Sequence, residues 1–367
     1  MRILLASFKY FRDGRFIEDD FVLEKGKLLG KGKEKESCDL TYDSGYIIPP
    51  VFDSHIHGGW GIDFASEESF FLLDEKLQKQ GIAYALPTLH NYKWPELDRI
   101  AGNFKRFKEK SGSDCFPFLR IEGPFLNREM CGAQDEKYIL NISQKEVDRL
   151  LRFKDEVRMF TFAPELPGSE ELAVVALKEG MIPSAGHSAA TMRDFLPVYR
   201  AGVRHFTHFG NRMGSFHHRE IGLIGAGLKC DDVFLEIIGD GGHVAYDFLD
   251  LVLKMKPANR VALVSDAIKQ GFREDEDLKK EGFFRENSVI KQSQETIAGG
   301  ETLLFKQIKK MIAVLDIDLE KLITMITVNP LSYFNISYNR EKVTILSKDF
   351  DFLAFGDPAG GQTFKKV

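Results

Sequence analysis

Ile48-Pro49-Pro50-Val51-Phe52-Asp53-Ser54-His55-Ile56-His57-Gly58-Gly59 is the stretch on which the reading of the fold turns. An apolar, β-branched run leaves a Pro-Pro pair and ends in two histidines with one residue between them. Side chains two apart on a strand point to the same face. His55 and His57 are therefore expected to face one spot at the C-terminal tip of a strand, where Gly58-Gly59 lets the backbone turn away. Two imidazoles meeting at a strand tip suit a divalent metal. Taken alone, the pair reads equally as two histidines in a polar turn.

Outward from this stretch, apolar β-type runs recur at residues 46–54, 82–88, 116–122, 157–164, 182–187, 205–208, 233–239 and 261–266. Helical patterns lie between most of them. Ser66 can cap a helix carrying Phe70, Leu73 and Leu77 that stops at Gly81. Residues 94–110 place Leu97, Ile100, Phe104 and Phe107 on one face. Ser143 with Glu146 makes a capping box ahead of Val147 and Leu150. Further helices are expected at 169–179, at 191–201 in spite of Pro197, at 247–255 and at 301–315. No clear helix follows the sixth run, where 221–228 is glycine-rich, and 273–294 reads as a charged surface excursion. This alternation is an α/β pattern, that of a (β/α)8 TIM-like barrel. A doubly wound open sheet would alternate as well, and the placement of the polar residues favours the barrel.

The two ends read differently. Residues 1–47 break into short strands and turns, and 342–346 and 352–355 read as strands. Both ends are expected to build one small β-sandwich domain, 1–48 plus 338–367, beside a barrel at 49–337, because chain termini often lie close together.

In a barrel the active site gathers at the C-terminal ends of the strands. The first run ends in His55 and His57, the third in Glu122, the fifth in His187, the sixth in His208 and the eighth in Asp266, while the seventh leads to Asp240 and His243. Each alone could cap a loop; jointly they converge on one rim and point to a metal site. His55, His57, His187 and His208 suit zinc or a similar divalent ion, and Glu122 can join them or bridge two ions. Asp266, last and alone, is the natural general base for a metal-activated water. His243, on a glycine-flanked loop outside that set, suits polarising a carbonyl oxygen.

Composition excludes several classes. The chain has 367 residues, 43% apolar and 29% charged, with a net charge of −5. That is ordinary for a soluble domain and offers no basic face for nucleic acid. No apolar run approaches the ~20 residues of a membrane span, and the N-terminus lacks a signal-peptide core. Cys38, Cys115, Cys131 and Cys230 are scattered, so reduced thiols in the cytoplasm are expected.

The segments Pro50-Val51-Phe52-Asp53-Ser54-His55-Ile56-His57-Gly58, Glu122-Gly123-Pro124-Phe125-Leu126-Asn127, Gly186-His187-Ser188, Thr207-His208-Phe209-Gly210-Asn211-Arg212-Met213, His217-His218-Arg219-Glu220, Asp240-Gly241-Gly242-His243-Val244 and Ser265-Asp266-Ala267 resemble, in this order, the signature segments of the N-acetylglucosamine-6-phosphate deacetylase family of amidohydrolases. The resemblance runs from about Pro49 to Pro330. It implies metal-dependent hydrolysis of the acetamide of an amino-sugar phosphate, with release of acetate. By position, Glu122, His187 and His208 resemble the family's metal ligands, and His55 and His57 match members that hold a second ion. The resemblance implies one or two ions per chain, zinc ahead of iron, cobalt or nickel. It further implies Asp266 as base and then acid, His243 steadying the oxyanion, and Asn211 on the sugar phosphate. Arg219 would reach the phosphate of a neighbouring subunit's substrate in a homodimer.

Departures from the pattern are informative. Ala133-Gln134 stands where the family usually has Ala-His, at a position that touches substrate. Arg212 replaces a small residue. Ile297-Ala298-Gly299-Gly300 resembles a segment whose apolar residue packs near the acetyl group. No lysine ends the fourth run, which argues against the carbamylated-lysine branch. Three alternatives stay open: the galacto epimer, another small amide, and a sugar-phosphate-binding barrel without turnover.

Overall fold

The computed structural model describes residues 2–25, 27–29, 38–336 and 342–356. Residues 30–37, 338–341 and 357–367 of the expected terminal domain lie outside the described residues. Eight parallel strands form one sheet in which each strand pairs with the next in sequence. They are β1 (Val51–Ile56), β2 (Ile82–Leu89), β3 (Leu119–Phe125), β4 (Val157–Phe162), β5 (Ile182–Ala185), β6 (His205–Phe206), β7 (Phe234–Ile238) and β8 (Val261–Val264). The (β/α)8 barrel expected from the alternation is thus the observed architecture. The ring closes at its C-terminal rim. The Asp266 N–H donates to His55 O at 2.9 Å, the His57 N–H to Ala267 O at 2.8 Å, and the Ser265 N–H to Asp53 Oδ1 at 3.1 Å.

Local chemistry explains most of the outer helices. Helix α1 (Glu67–Lys79) starts in a box between Ser66 and Ser69 and is followed by Gly81 at φ +81°. Helix α2 (Trp94–Ser111) buries Leu97, Ile100, Phe104 and Phe107, and α3 (Gln144–Leu151) is capped by Ser143. Helix α4 is Ser169–Lys178; α5 (Met192–Ala201) tolerates Pro197 between a Thr191–Asp194 capping box and Gly202. Helices α6 (Gly222–Lys229) and α7 (Tyr246–Met255) follow β6 and β7, and a helix at Leu304–Val314 follows β8.

One expectation is corrected. Residues 221–228 do form a helix, α6. Its glycines lower helix propensity by about 1 kcal/mol each, but they serve packing: a Cβ at Gly227 would stand 2.4 Å from the Phe209 ring, so the backbone itself presses on the core. The 273–294 excursion has secondary structure of its own. It holds a helix (Asp275–Lys280) and two strands, Phe284–Glu286 and Val289–Lys291, which pair with each other, the second also pairing with Ile297–Gly300. Arg285 ties it down through Glu301 and Asp275. Gly300 bridges to Ala267, so this small sheet forms a lip on the barrel mouth.

Both ends of the chain share a second sheet of seven strands, in which Val343–Ser347 lies between Gly45–Ile48 and Phe352–Gly356. Ile3, Leu5, Phe8, Leu23, Ile47 and Ile345 give it a core of its own. No described helix is long and apolar enough to cross a membrane.

Candidate active site

The rim residues named from sequence meet in space. Glu122 Oε1 lies 3.1 Å from His187 Nε2 and 2.8 Å from His208 Nε2, and those two nitrogens are 3.1 Å apart. On the other side of Glu122, His55 Nε2 and His57 Nε2 are 3.1 Å apart, and each is 3.3 Å from Asp266 Oδ1. His57 Nε2 is 3.4 Å from Glu122 Oε2. All are buried except Asp266, which is slightly open to the cavity.

Tautomers test whether this set fits a cation. His57 Nδ1 faces Thr88 O at 2.9 Å, and His187 Nδ1 faces Met130 O at 2.9 Å. A carbonyl only accepts, so each Nδ1 carries a hydrogen, and Nε2 is the nitrogen each neutral ring offers inward. Lone pairs on Nε2 of His187, with a carboxylate oxygen beside them, are the donor set for a divalent metal. Donor atoms ~3.3 Å apart are what tetrahedral bonds of ~2.0–2.1 Å produce. The residues fit.

Electrostatics agree. Burial would raise the Glu122 carboxyl, but His187 and His208 beside it hold it well below the usual carboxylate range. Burial would likewise raise Asp266, and the facing His55 and His57 rings hold it low, so it stands ionised as a proton acceptor. Burial, with Arg120 nearby, pushes His55 well below its ordinary value. The backbone is strained where these groups sit: His187, His208 and Asp266 have φ of +47°, +25° and +48°. Left-handed backbone at non-glycine residues costs about 1–3 kcal/mol each and clusters at functional sites.

Beneath the rim lies a layer that sequence reading missed. Arg120 and Glu236, both fully buried, pair at 2.8 Å. Ser54 Oγ donates to Glu236 at 2.5 Å, Arg120 also donates to Ser54 O at 2.9 Å and to Thr207, and Thr207 Oγ1 lies 3.2 Å from His55 Nδ1. The signal was available: Arg120 shares a strand face with Glu122, and Glu236 is a lone charge in Phe234–Ile238.

The rim opens into a cavity of about 350 Å³ whose walls include Ala133, Gln134, Asn211, His243 and Ile297, as the sequence suggested. His243 Nδ1 lies 2.8 Å from Asp240 Oδ2, and its Nε2 lies 3.7 Å from Asp266 Oδ2 with no partner. Burial works against a charged ring, but Asp240 outweighs it and holds His243 above its ordinary pKa. Asn211 donates to His208 O at 3.1 Å. Arg219 is exposed and does not line the cavity; its Nη1 lies 3.2 Å from His218 Nε2.

Gln134 is turned onto Glu122. Its Oε1 accepts from the Asn91 N–H at 2.9 Å, which fixes the amide. Its Nε2 therefore donates to Glu122 Oε2 and faces His90 Nδ1 at 3.4 Å. His90, at the tip of β2, escaped the sequence reading. With His57 and Glu122 it could suggest a further ligand group. Its ring, however, stacks on His57 at 4.2 Å and 1°. Lone pairs lie in the ring plane, so two parallel stacked rings cannot both aim at one ion. His90 braces His57 and walls the cavity.

No family model matches the chain. It is 30% identical over 283 residues to N-acetylglucosamine-6-phosphate deacetylase of Homo sapiens, covering 71% of this chain and 68% of that protein. It is 28% identical over 233 residues to N-acetylgalactosamine-6-phosphate deacetylase of Escherichia coli O157:H7, covering 62% and 61%. The crystal structure of N-acetylglucosamine-6-phosphate deacetylase from Thermotoga maritima superposes with a TM-score of 0.85 at 27% identity, covering 99% of this chain and 100% of that one.

Proposed function

The chain belongs to the N-acetylglucosamine-6-phosphate deacetylase family, and from that membership we propose an assignment of its reaction and residues. It is a hydrolase that cleaves the acetamide of N-acetylglucosamine 6-phosphate, giving acetate and glucosamine 6-phosphate. The observation that carries this is the convergence of Glu122 Oε1, His187 Nε2 and His208 Nε2 beside an ionised Asp266.

Glu122, His187 and His208 would hold a divalent cation, with zinc the best match to nitrogen-rich ligands and iron, cobalt or nickel next. The chemistry a divalent cation supplies there is Lewis acidity toward the acetamide carbonyl and the attacking water. His55 and His57 stand ready for a second ion. Asp266 takes a proton from the attacking water and then delivers it to the leaving amine nitrogen. His243, whose pKa Asp240 holds above its ordinary value, donates from Nε2 to the developing oxyanion, a contribution of about 3–4 kcal/mol in comparable sites. Ala133 and Gln134 border the sugar, Asn211 its phosphate side, and Ile297 the acetyl methyl. Arg219, exposed on its loop, fits a contact across a homodimer. The four cysteines are unpaired, as suits a cytoplasmic enzyme.

A second reading is the galacto epimer, favoured by the E. coli relative and by Gln134. Acetate release from both epimeric hexosamine 6-phosphates, with metal content per chain, tests the assignment. The gluco substrate is expected to be the faster. Release only from the galacto epimer selects the second reading. No release from either phosphate, with hydrolysis of an unphosphorylated amide, overturns the phosphate assignment.

A further inference from the structure

We propose that Arg212 is the phosphate anchor of this cavity, supplied by the same chain that supplies Asp266. The inference rests on the reading that the substrate is a sugar phosphate. Arg212 is the sole lysine or arginine among the described residues lining the cavity. Its neighbours on that wall are Asn211 and Gly210, directly after the ligand His208. A phosphorylated ligand entering here meets one permanent cation, and this is it.

The guanidinium is half-buried, yet no hydrogen bond or ion pair engages it among the described residues. Two arginines buried more deeply or tied into the same mouth do have counter-charges: Arg120 has Glu236, and Arg285 has Asp275 and Glu301. A half-buried charge without a counter-charge is costly unless a ligand provides one. The guanidinium fork matches two phosphate oxygens, which a lysine would not.

Backbone geometry gives independent support. Arg212 sits at φ +48°, in the left-handed region it shares with His187, His208 and Asp266. Its backbone is pinned there: the Ser188 N–H donates to Arg212 O at 2.9 Å, and the Gly214 N–H to Ser188 O at 2.9 Å. Ser188 follows the ligand His187, so Arg212 is tied to the metal-binding rim. Across the cavity, a Cβ on Gly132 would stand 2.9 Å from Arg212 Nε. The bare glycine makes room for the arginine stem. Glycine or asparagine would fit this backbone with less strain, so the fold itself does not call for arginine here.

The consequence is a substrate site complete within one chain. A contact from Arg219 of a second copy would add to it rather than create it. The test compares wild type with Arg212→Ala and Arg219→Ala on N-acetylglucosamine 6-phosphate and on unphosphorylated N-acetylglucosamine, alongside calorimetric binding of inorganic phosphate. For Arg212→Ala we expect KM for the phosphorylated sugar to rise roughly 10- to 100-fold, the loss of a charged hydrogen-bonded contact. The ratio of kcat/KM between the two sugars should fall by the same factor, and phosphate binding should be lost. Arg212→Lys should retain part of the binding, and it replaces the alanine variant should that one not fold. Equal loss on both sugars, unchanged phosphate binding, or a larger KM effect from Arg219→Ala would each overturn the proposal. If wild type hydrolyses neither sugar phosphate, the functional reading fails. The phosphate calorimetry of wild type against Arg212→Ala still decides the anchor.

Discussion

Two polar layers cross the barrel, and they are balanced differently. In the lower one each strong group meets its opposite: Arg120 faces Glu236, and Ser54 and Thr207 fill the remaining positions. In the upper one like also faces like around two carboxylates, with His55 Nε2 against His57 Nε2 and His187 Nε2 against His208 Nε2, each pair 3.1 Å apart. A layer whose charges cancel holds strands together. A layer of converging lone pairs is finished only by something from outside the chain. Burying polar groups is common to both, so burial alone does not mark function; the unmet demand does.

The comparison breaks most visibly at Asp266. Asp266→Asn preserves shape and removes the proton acceptor, so acetate release should fall roughly 10²–10⁴-fold while metal per chain, by elemental analysis, is unchanged. A rate within a few-fold of wild type would remove the base assignment. The lower layer predicts the converse. Arg120→Met leaves Glu236 buried without its partner and should cost about 3–5 kcal/mol in urea unfolding. Adding Glu236→Leu should recover at least half of that, because the charges leave together. A double variant as unstable as the single one would mean that the pair is more than a mutual neutralisation.

The smallest effect concerns pH. His205, also in the lower layer, has Nδ1 2.8 Å from Ser184 Oγ, and burial drives its pKa down to about 3. Its unfolded value is ~6.5. Between those values the unfolded chain takes up a proton that the folded chain refuses. Its stabilising contribution is therefore complete above pH ~6.5 and is lost as pH falls toward 3. One such group removes on the order of 1–2 kcal/mol between pH 6.5 and 5. Urea midpoints across that range should show a shallower slope for His205→Gln; an identical slope would show that this ring does not titrate on unfolding.

Much of the rim could be read from sequence because two rules coincide there: alternation on a strand, and chemistry at strand C-termini. Glu122 and the His55/His57 pair follow both, while His187, His208 and Asp266 sit just past their strands and follow the second. His90 obeys the second as well, but Leu89-His90-Asn91-Tyr92 reads as a lead into α2 and hides it. Arg120 and Glu236 lie within strands, where pairing across 116 residues leaves no local trace. Helix α6 was hidden by its own glycines, whose purpose becomes visible only against Phe209. What sequence order cannot express is which distant groups neutralise one another.

The seam between β1 and β8 has a temporal consequence. The peptide N–H of Asp266 bonds His55 O as the ring shuts, so the proposed proton carrier arrives with the final stave. During synthesis Glu122, His187 and His208 leave the ribosome well before it. A nascent or truncated polypeptide can thus own those three side chains and remain inert. Turnover reports that translation passed residue 266 and that the two distant edges found each other.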